Sequence, residues 1–144
     1  MDDSPGYHFV DTNILVYAHD ASAGEKQGRA KELLKELWGA RTGCLSIQVL
    51  QELYVALTTK VPSPMPAEAA TLVLEDLSAW RVHTPGVEDV LAAIAIHRRC
   101  GLSFWDAMII RSAACLSCAR LWSEDFNPGQ VYDGVEVVNP FASA

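Results

Sequence analysis

The first forty residues change their hydrophobic period. Tyr7-His8-Phe9-Val10 is a short apolar run with β-branched and aromatic members, closed by the polar trio Asp11-Thr12-Asn13. It predicts a first strand that hands over to a loop or helix. From Glu25 to Trp38 the period lengthens: Ala30, Leu33, Leu34, Leu37 and Trp38 recur at helical spacing, with Lys31, Glu32, Lys35 and Glu36 on the other face and Gly39 placed to cap the end. Cys44-Leu45 predicts a short strand. Ser46 is placed to N-cap a helix reaching about Thr59, with Leu50, Leu53, Tyr54 and Leu57 as its buried stripe and Glu52 outside it.

Pro62, Pro64 and Pro66 interrupt the chain, and Pro66 suits the first turn of a helix to about Ala79 with Ala69, Leu72, Val73 and Leu77 inward. Arg81-Val82-His83-Thr84 predicts a strand. A helix over 87–100 follows, with Val90, Leu91, Ile94 and Ala95 inward and Gly101 as its stop, and Ser103 opens the next helix. Leu121-Trp122 and Val135-Glu136-Val137-Val138 are two late strands, separated by the turn-rich Asn127-Pro128-Gly129 and Asp133-Gly134. Strands alternating with helices predict a three-layer α/β fold with a mainly parallel central sheet. The absence of a repeat, low-complexity run or linker makes 1–144 a single expected domain.

Composition narrows the class. Half of the 144 residues are hydrophobic and a fifth are charged, which fits a globular domain and excludes a disordered tail or a disulfide-stapled miniprotein. No uncharged stretch is long enough for a membrane span, and Asp2 and Asp3 stand where a secretory signal would be basic, so a cytoplasmic protein is expected. Cys44, Cys100, Cys115 and Cys118 are expected as reduced thiols. The Cys115-Leu116-Ser117-Cys118 spacing falls in a predicted helix and has no second pair to complete a zinc site.

The 18 acidic and 11 basic groups give a net charge of −7, which argues against binding nucleic acid through a general positive potential. Setting four carboxylates aside around a divalent cation leaves 14 against 11, a balance of −3 before the cation's own charge, and a local basic rim could then receive phosphates.

Four acids are candidates for that role. In an open parallel sheet, ligands collect beyond the carboxyl ends of the strands. Asp11 and Asp125 follow predicted strands, Glu52 lies about two turns into the helix after the second strand, and Asp106 lies in the first turn of the helix opened by Ser103. Gathered together they would repel one another unless a cation compensates them. Hard oxygen donors without a His/Cys cluster suit Mg²⁺ or Mn²⁺, and the matching chemistry is phosphodiester hydrolysis. Each residue also has a structural role open to it: Asp11 as a turn cap, Glu52 as a solvated helical residue, Asp106 in a capping-box variant with Ser103, and Asp125 as a turn former beside Glu124.

Other polar features carry less. His8, His19, His83 and His97 lack metal-ligand spacing and are expected to be partnered or at the surface. Phe104-Trp105 could stack on a base, although core packing or a dimer contact is the expectation. Arg98, Arg99 and Arg111 could form a phosphate-facing rim or simply a solvated helix face. No Gly-rich phosphate loop, GxSxG elbow or Ser-His-Asp arrangement is present.

Taken in order, Val10-Asp11-Thr12-Asn13-Ile14-Leu15-Val16-Tyr17, Leu45-Ser46-Ile47-Gln48-Val49-Leu50-Gln51-Glu52-Leu53, Leu102-Ser103-Phe104-Trp105-Asp106-Ala107 and Ser123-Glu124-Asp125-Phe126 closely resemble the motifs of the PIN-domain ribonucleases, and among them the toxins of VapBC-type toxin-antitoxin pairs. The Val137-Val138-Asn139-Pro140-Phe141 ending is similar to that of bacterial members.

The resemblance covers nearly the whole chain. It implies a PIN-like fold and a metal site of Asp11, Glu52, Asp106 and Asp125, with Asn13 and Ser123 as supporting polar groups, and it selects Asp125 over Glu124. It further implies Mg²⁺ with Mn²⁺ as substitute, an RNA substrate, a homodimer, and a cognate antitoxin whose peptide occupies the acidic groove. DNA would enter only through an antitoxin that itself binds it, because this chain has no basic recognition helix. Residues 1–6 exceed the N-terminus of many members and are expected to be a flexible extension, and Arg111 interrupts a helix that is often Ala-rich.

Two other classes compete with an endoribonuclease toxin. A catalytically silent PIN-like binding protein would have no need of intact metal ligands. A receiver-like phosphoacceptor module would share an acidic strand-end pocket, but Lys60 is the last lysine and no late strand ends in one.

Overall fold

The computed structural model describes residues 6–142, so the expected N-terminal extension lies, apart from Gly6, outside the described residues. Its elements run β1 (Tyr7–Val10), α1 (Thr12–Ala18), a 3₁₀ turn (Ala21–Ala23), α2 (Glu25–Ala40), β2 (Gly43–Ser46), α3 (Ile47–Val55), a π-helical turn (Ala56–Lys60), α4 (Ala67–Leu77), β3 (Arg81–His83), α5 (Val87–Cys100), α6 (Phe104–Cys115), β4 (Cys118–Trp122), β5 (Val131–Tyr132) and β6 (Val135–Val138).

The strands form one sheet in the order β3-β2-β1-β4-β6-β5, parallel except for β5. The path steps outward from β1 to β2 to β3, then returns past both to β4. Right-handed crossovers in opposite directions place their helices on opposite faces, and α6 accordingly packs on β2, β4 and β6. β2 is buried along its whole length, as a covered parallel strand should be. Phe9, Ile14, Leu15, Leu33, Leu45, Leu53, Leu57, Ile109, Ile110 and Leu121 form the fully enclosed centre of the core.

Several expectations need correction. Gly39 does not end α2: the helix continues to Ala40 and closes on Arg41 in the left-handed region, whose N–H reaches the Leu37 and Trp38 carbonyls. Trp38 lies largely outside the core, edge-on to Trp80. The helix after Ser46 changes to a π-helical turn at Ala56, where the Thr58 and Thr59 hydroxyls bond back to the Tyr54 and Val55 carbonyls and compete with the regular ladder.

Pro66 precedes α4 as its N-cap, and the inward face of that helix is Ala70, Val73, Leu74 and Leu77, leaving Leu72 in solvent. α5 is turned by about one residue from its expected face. Asp89, Ala93 and Ile96 point inward, and Val87, Val90, Leu91 and Ile94 are exposed. The cause is α6: Asp89 pairs with Arg111 across the helix interface, and small Ala93 allows close approach.

The CxxC residues do not share a helix. Cys115 ends α6, Ser117 turns the chain with φ 56°, and Cys118 opens β4. All four cysteines are free thiols. The late hairpin holds a strand that periodicity overlooked: β5 pairs antiparallel with β6 across Asp133-Gly134, both at positive φ as a two-residue hairpin turn requires. No described helix is long and apolar enough to cross a membrane.

Candidate functional site

β1 is where the strand order reverses, since β2 lies on one side of it and β4 on the other. Beyond the carboxyl ends of β1 and β4 the outgoing connections diverge, which opens a crevice in any sheet of this kind. Asp11 leaves β1 at that point. Its N–H is still held by the Trp122 carbonyl of β4 at 2.9 Å, while its side chain caps α1. One carboxylate oxygen accepts from the Thr12 N–H at 2.7 Å and the other from the Ser123 hydroxyl at 2.8 Å. Ser123 is fully buried, and the same hydroxyl oxygen accepts the Asp125 N–H at 3.1 Å. One serine therefore sets both the Asp11 carboxylate and the start of the Asp125 turn.

The two helical acids come from the elements that follow. Ser46 caps α3 by accepting the Val49 N–H, and Glu52 stands on the exposed side of that helix, its Oε1 accepting from the Thr12 hydroxyl at 3.2 Å and the Gln48 amide at 3.4 Å. Ser103 caps α6 by accepting the Asp106 N–H at 3.1 Å, which places Asp106 in the first turn, half-buried. Asp125 is exposed, and Asn13 lies in the first turn of α1.

Electrostatics links these acids. Burial raises the Asp11 carboxyl to about 7 against the opposing hydrogen bonds of Ser123 and Thr12, and the charges of Asp125 and Glu52 raise it further. Burial also raises Asp106; the Ser103 hydroxyl opposes the shift and the charge of Asp125 adds to it. The buried Asn13 amide has neither its nitrogen nor its oxygen satisfied, a state native interiors rarely keep without water or a ligand. The crevice thus concentrates negative charge and leaves polar valence unspent.

Not every nearby acid belongs to it. Glu124 turns away: it accepts from the Tyr17 hydroxyl and from Lys26 Nζ, the latter at 2.7 Å. Burial works to raise the Glu124 carboxyl, but these two donors hold it below the usual range.

Among the described residues, the one group of three ligand atoms lying within 4.8 Å of one another is that of His83, Asp89 and Cys115, so the four crevice acids are spread more widely. In that group Asp89 is already compensated. Arg111 Nε donates to it at 2.8 Å, Cys115 Sγ donates at 3.3 Å and the Gly86 N–H at 2.8 Å, while His83 is hydrogen-bonded to Ser112 at 2.8 Å. Arg111 is therefore a structural partner and not part of a phosphate-facing rim, and Arg99 is likewise paired, with Asp133 at 2.6 Å.

Sequence reasoning overlooked Thr12, Gln48 and the Tyr17–Lys26 clamp on Glu124. Of these only Gln48 left a signal, its spacing of four from Glu52 on a helix. The others depend on partners from distant elements.

The pattern that defines the PIN domain matches residues 8–133. Among solved structures, a toxin-antitoxin complex from Klebsiella pneumoniae superposes with a TM-score of 0.70 at 19% identity, over 93% of this chain and 98% of that one. The crystal structure of Mycobacterium tuberculosis VapC20, described as a sarcin-ricin loop cleaving toxin, superposes with a TM-score of 0.64 at 21% identity, over 82% of this chain and 91% of that one. Comparison with curated proteins returns no match. With the matched region running from within β1 through β5 and including Asp11, Glu52, Asp106 and Asp125, the chain belongs to the PIN domain family.

Proposed function

We propose that this protein is a divalent-metal-dependent endoribonuclease that hydrolyses RNA phosphodiester bonds at the crevice, and that it acts as the toxin of a toxin-antitoxin pair. The observation that carries the reading is Asp11, buried at the strand-order reversal with its carboxyl raised to about 7 beside Asp125 and Glu52. Such an arrangement is costly unless a cation joins it. The donor set fits Mg²⁺ or Mn²⁺: Asp11, Glu52, Asp106 and Asp125 offer hard oxygens, and the unsatisfied Asn13 amide offers a further contact for water or phosphate. Asp11, Glu52, Asp106 and Asp125 would hold the ion. When bound, the metal would supply an activated water and neutralise charge on the phosphate.

The remaining roles belong to the chain itself. Ser123 donates to Asp11 and accepts from the Asp125 backbone, so it fixes the Asp11 carboxylate and the main chain that carries Asp125. Thr12 holds Glu52 toward the crevice, and the Lys26–Tyr17 clamp on Glu124 braces the turn from outside. The structural likeness to a toxin-antitoxin complex supports an antitoxin partner, with an acidic groove suited to an inserted Arg. The exposed apolar stripe of α5, Val87, Val90, Leu91 and Ile94, supports a homodimer. We read 1–144 as one domain working in the cytoplasm, with DNA reached only through the antitoxin.

The test is cleavage of mixed cellular RNA by purified wild type and by Asp11→Asn, each with Mg²⁺, Mn²⁺ or EDTA. Wild type is expected to cut only with metal, and the variant to be slower by roughly two orders of magnitude or more. Equal behaviour of the two folded proteins under every condition would replace this reading with a silent binding protein.

A further inference from the structure

Beside the acidic crevice lies a pocket of which the nuclease reading uses only Glu52. Gln48, Gln51, Glu52 and Trp105 line a cavity of about 280 Å³. α3 contributes three of these residues at helical spacing, and α6 contributes the indole immediately before Asp106.

Trp105 is 64% exposed, which excludes core packing, one of the two fates expected for it beside a dimer contact. Its ring is nonetheless braced, edge-on to Phe104 with centroids 5.0 Å apart at 73°, and Phe104 in turn packs against the core. Gln48 Nε2 donates to the Trp105 carbonyl at 3.2 Å and to Glu52 at 3.4 Å, which ties the pocket to the crevice. Among the described residues, the Gln48 amide oxygen and the whole Gln51 amide have no protein partner.

We propose that this pocket is a subsite for one unpaired nucleobase of the RNA, stacked on Trp105 and read at its edge by the Gln48 and Gln51 amides. The proposal deepens the nuclease reading and rests on it for the identity of the polymer. The charge pattern selects the base over the phosphate: the pocket carries one carboxylate and no cation, which suits a neutral heterocycle. A flat π-face with carboxamides around it is the pairing that unstacked bases use. The more apolar patches, Val87 and Leu91 on α5 or Ile47, Leu50, Tyr54 and Val55 beside Leu74, the latter sharing Gln51 at its edge, suit a protein surface better than this pocket does.

The experiment uses the full chain without divalent metal, titrated with AMP, GMP, CMP, UMP and, as the base-less control, ribose 5-phosphate. Binding is read from tryptophan fluorescence and from the Trp105 indole N–H resonance, assigned with Trp105→Phe. At least one nucleotide is expected to bind more tightly than ribose 5-phosphate and to shift that resonance. Trp105→Ala should weaken binding roughly tenfold or more, and Trp105→Phe should recover part of it. Gln48→Leu and Gln51→Leu should reorder the four nucleotides.

Nucleotides binding no better than ribose 5-phosphate, or equally well to folded Trp105→Ala, would overturn the proposal. If that variant also lowers the sedimenting mass, the surface belongs to a second copy. Nucleotide binding at Trp105 in a chain that cuts no RNA would keep the subsite and discard the nuclease reading, whereas RNA cleavage with no nucleotide response would do the reverse.

Discussion

Asp11 and Asp89 are the same residue type, each 5% exposed, and their surroundings drive them in opposite directions. Asp89 receives the Gly86 N–H, the Arg111 guanidinium and the Cys115 thiol, and faces His83; its carboxyl is held down at about 2 despite burial. Asp11 receives only the Thr12 N–H and the Ser123 hydroxyl while facing two other acids, and its carboxyl stands at about 7. The first arrangement is complete without anything from outside the chain; the second is not. Burial alone thus does not single out an acid, whereas burial without compensating charge makes Asp11 the candidate of the two.

This contrast is most easily broken at Asp89. Asp89→Ala leaves Arg111 unpaired in the α5–α6 interface and should lower unfolding free energy by about 3 kcal/mol in urea melts. Its folded fraction should still cleave RNA, and a selective loss of cleavage with unchanged stability would place Asp89 in the reaction instead.

A smaller effect separates the two acids by pH in chelated protein. Because the Asp11 carboxyl is raised, its contribution to stability is full below about 4 and is lost as pH rises through about 7; that of Asp89, which is lowered, is present above about 4 and is lost as pH falls through about 2. Between pH 5 and 8.5, wild type should therefore lose stability relative to Asp11→Asn, and a flat difference would show that the crevice does not strain Asp11. Smallest is the thermal shift: Mg²⁺ or Mn²⁺ should raise Tm by a few degrees in wild type but not in Asp11→Asn. A shift of equal size in both would locate the ion elsewhere.

What sequence made legible was local. The Tyr7–Val10 strand and the Ser46 and Ser103 caps depend on neighbours within a few residues, and all three stand where the pattern placed them. The α5 face was misjudged because its rotation is decided by Asp89 meeting Arg111 from the next helix, a partnership that makes a charged residue the buried one. Hydrophobic periodicity cannot register that. Of the four candidate acids, Asp11 and Asp125 stand out because they follow strands, Glu52 and Asp106 because of their places on the helices after Ser46 and Ser103, and Asp125 is preferred to Glu124 only by resemblance; the shared Ser123 hydroxyl and the unsatisfied Asn13 amide needed the tertiary structure. Of the fates open to Trp105, core packing fails for a related reason: an aromatic beside apolar neighbours looks like core until the helix's orientation is known.

The placement of β1 between β2 and β4 also bears on the order in which the chain leaves the ribosome. Asp11 emerges early, yet the hydroxyl that orients it arrives 112 residues later, with the strand that completes its flank. A nascent chain holding β1, β2 and β3 carries the first acid without the last and has no crevice to place it in. Premature termination anywhere before the end of β4 therefore yields a fragment in which Asp11 lacks the hydroxyl that orients it.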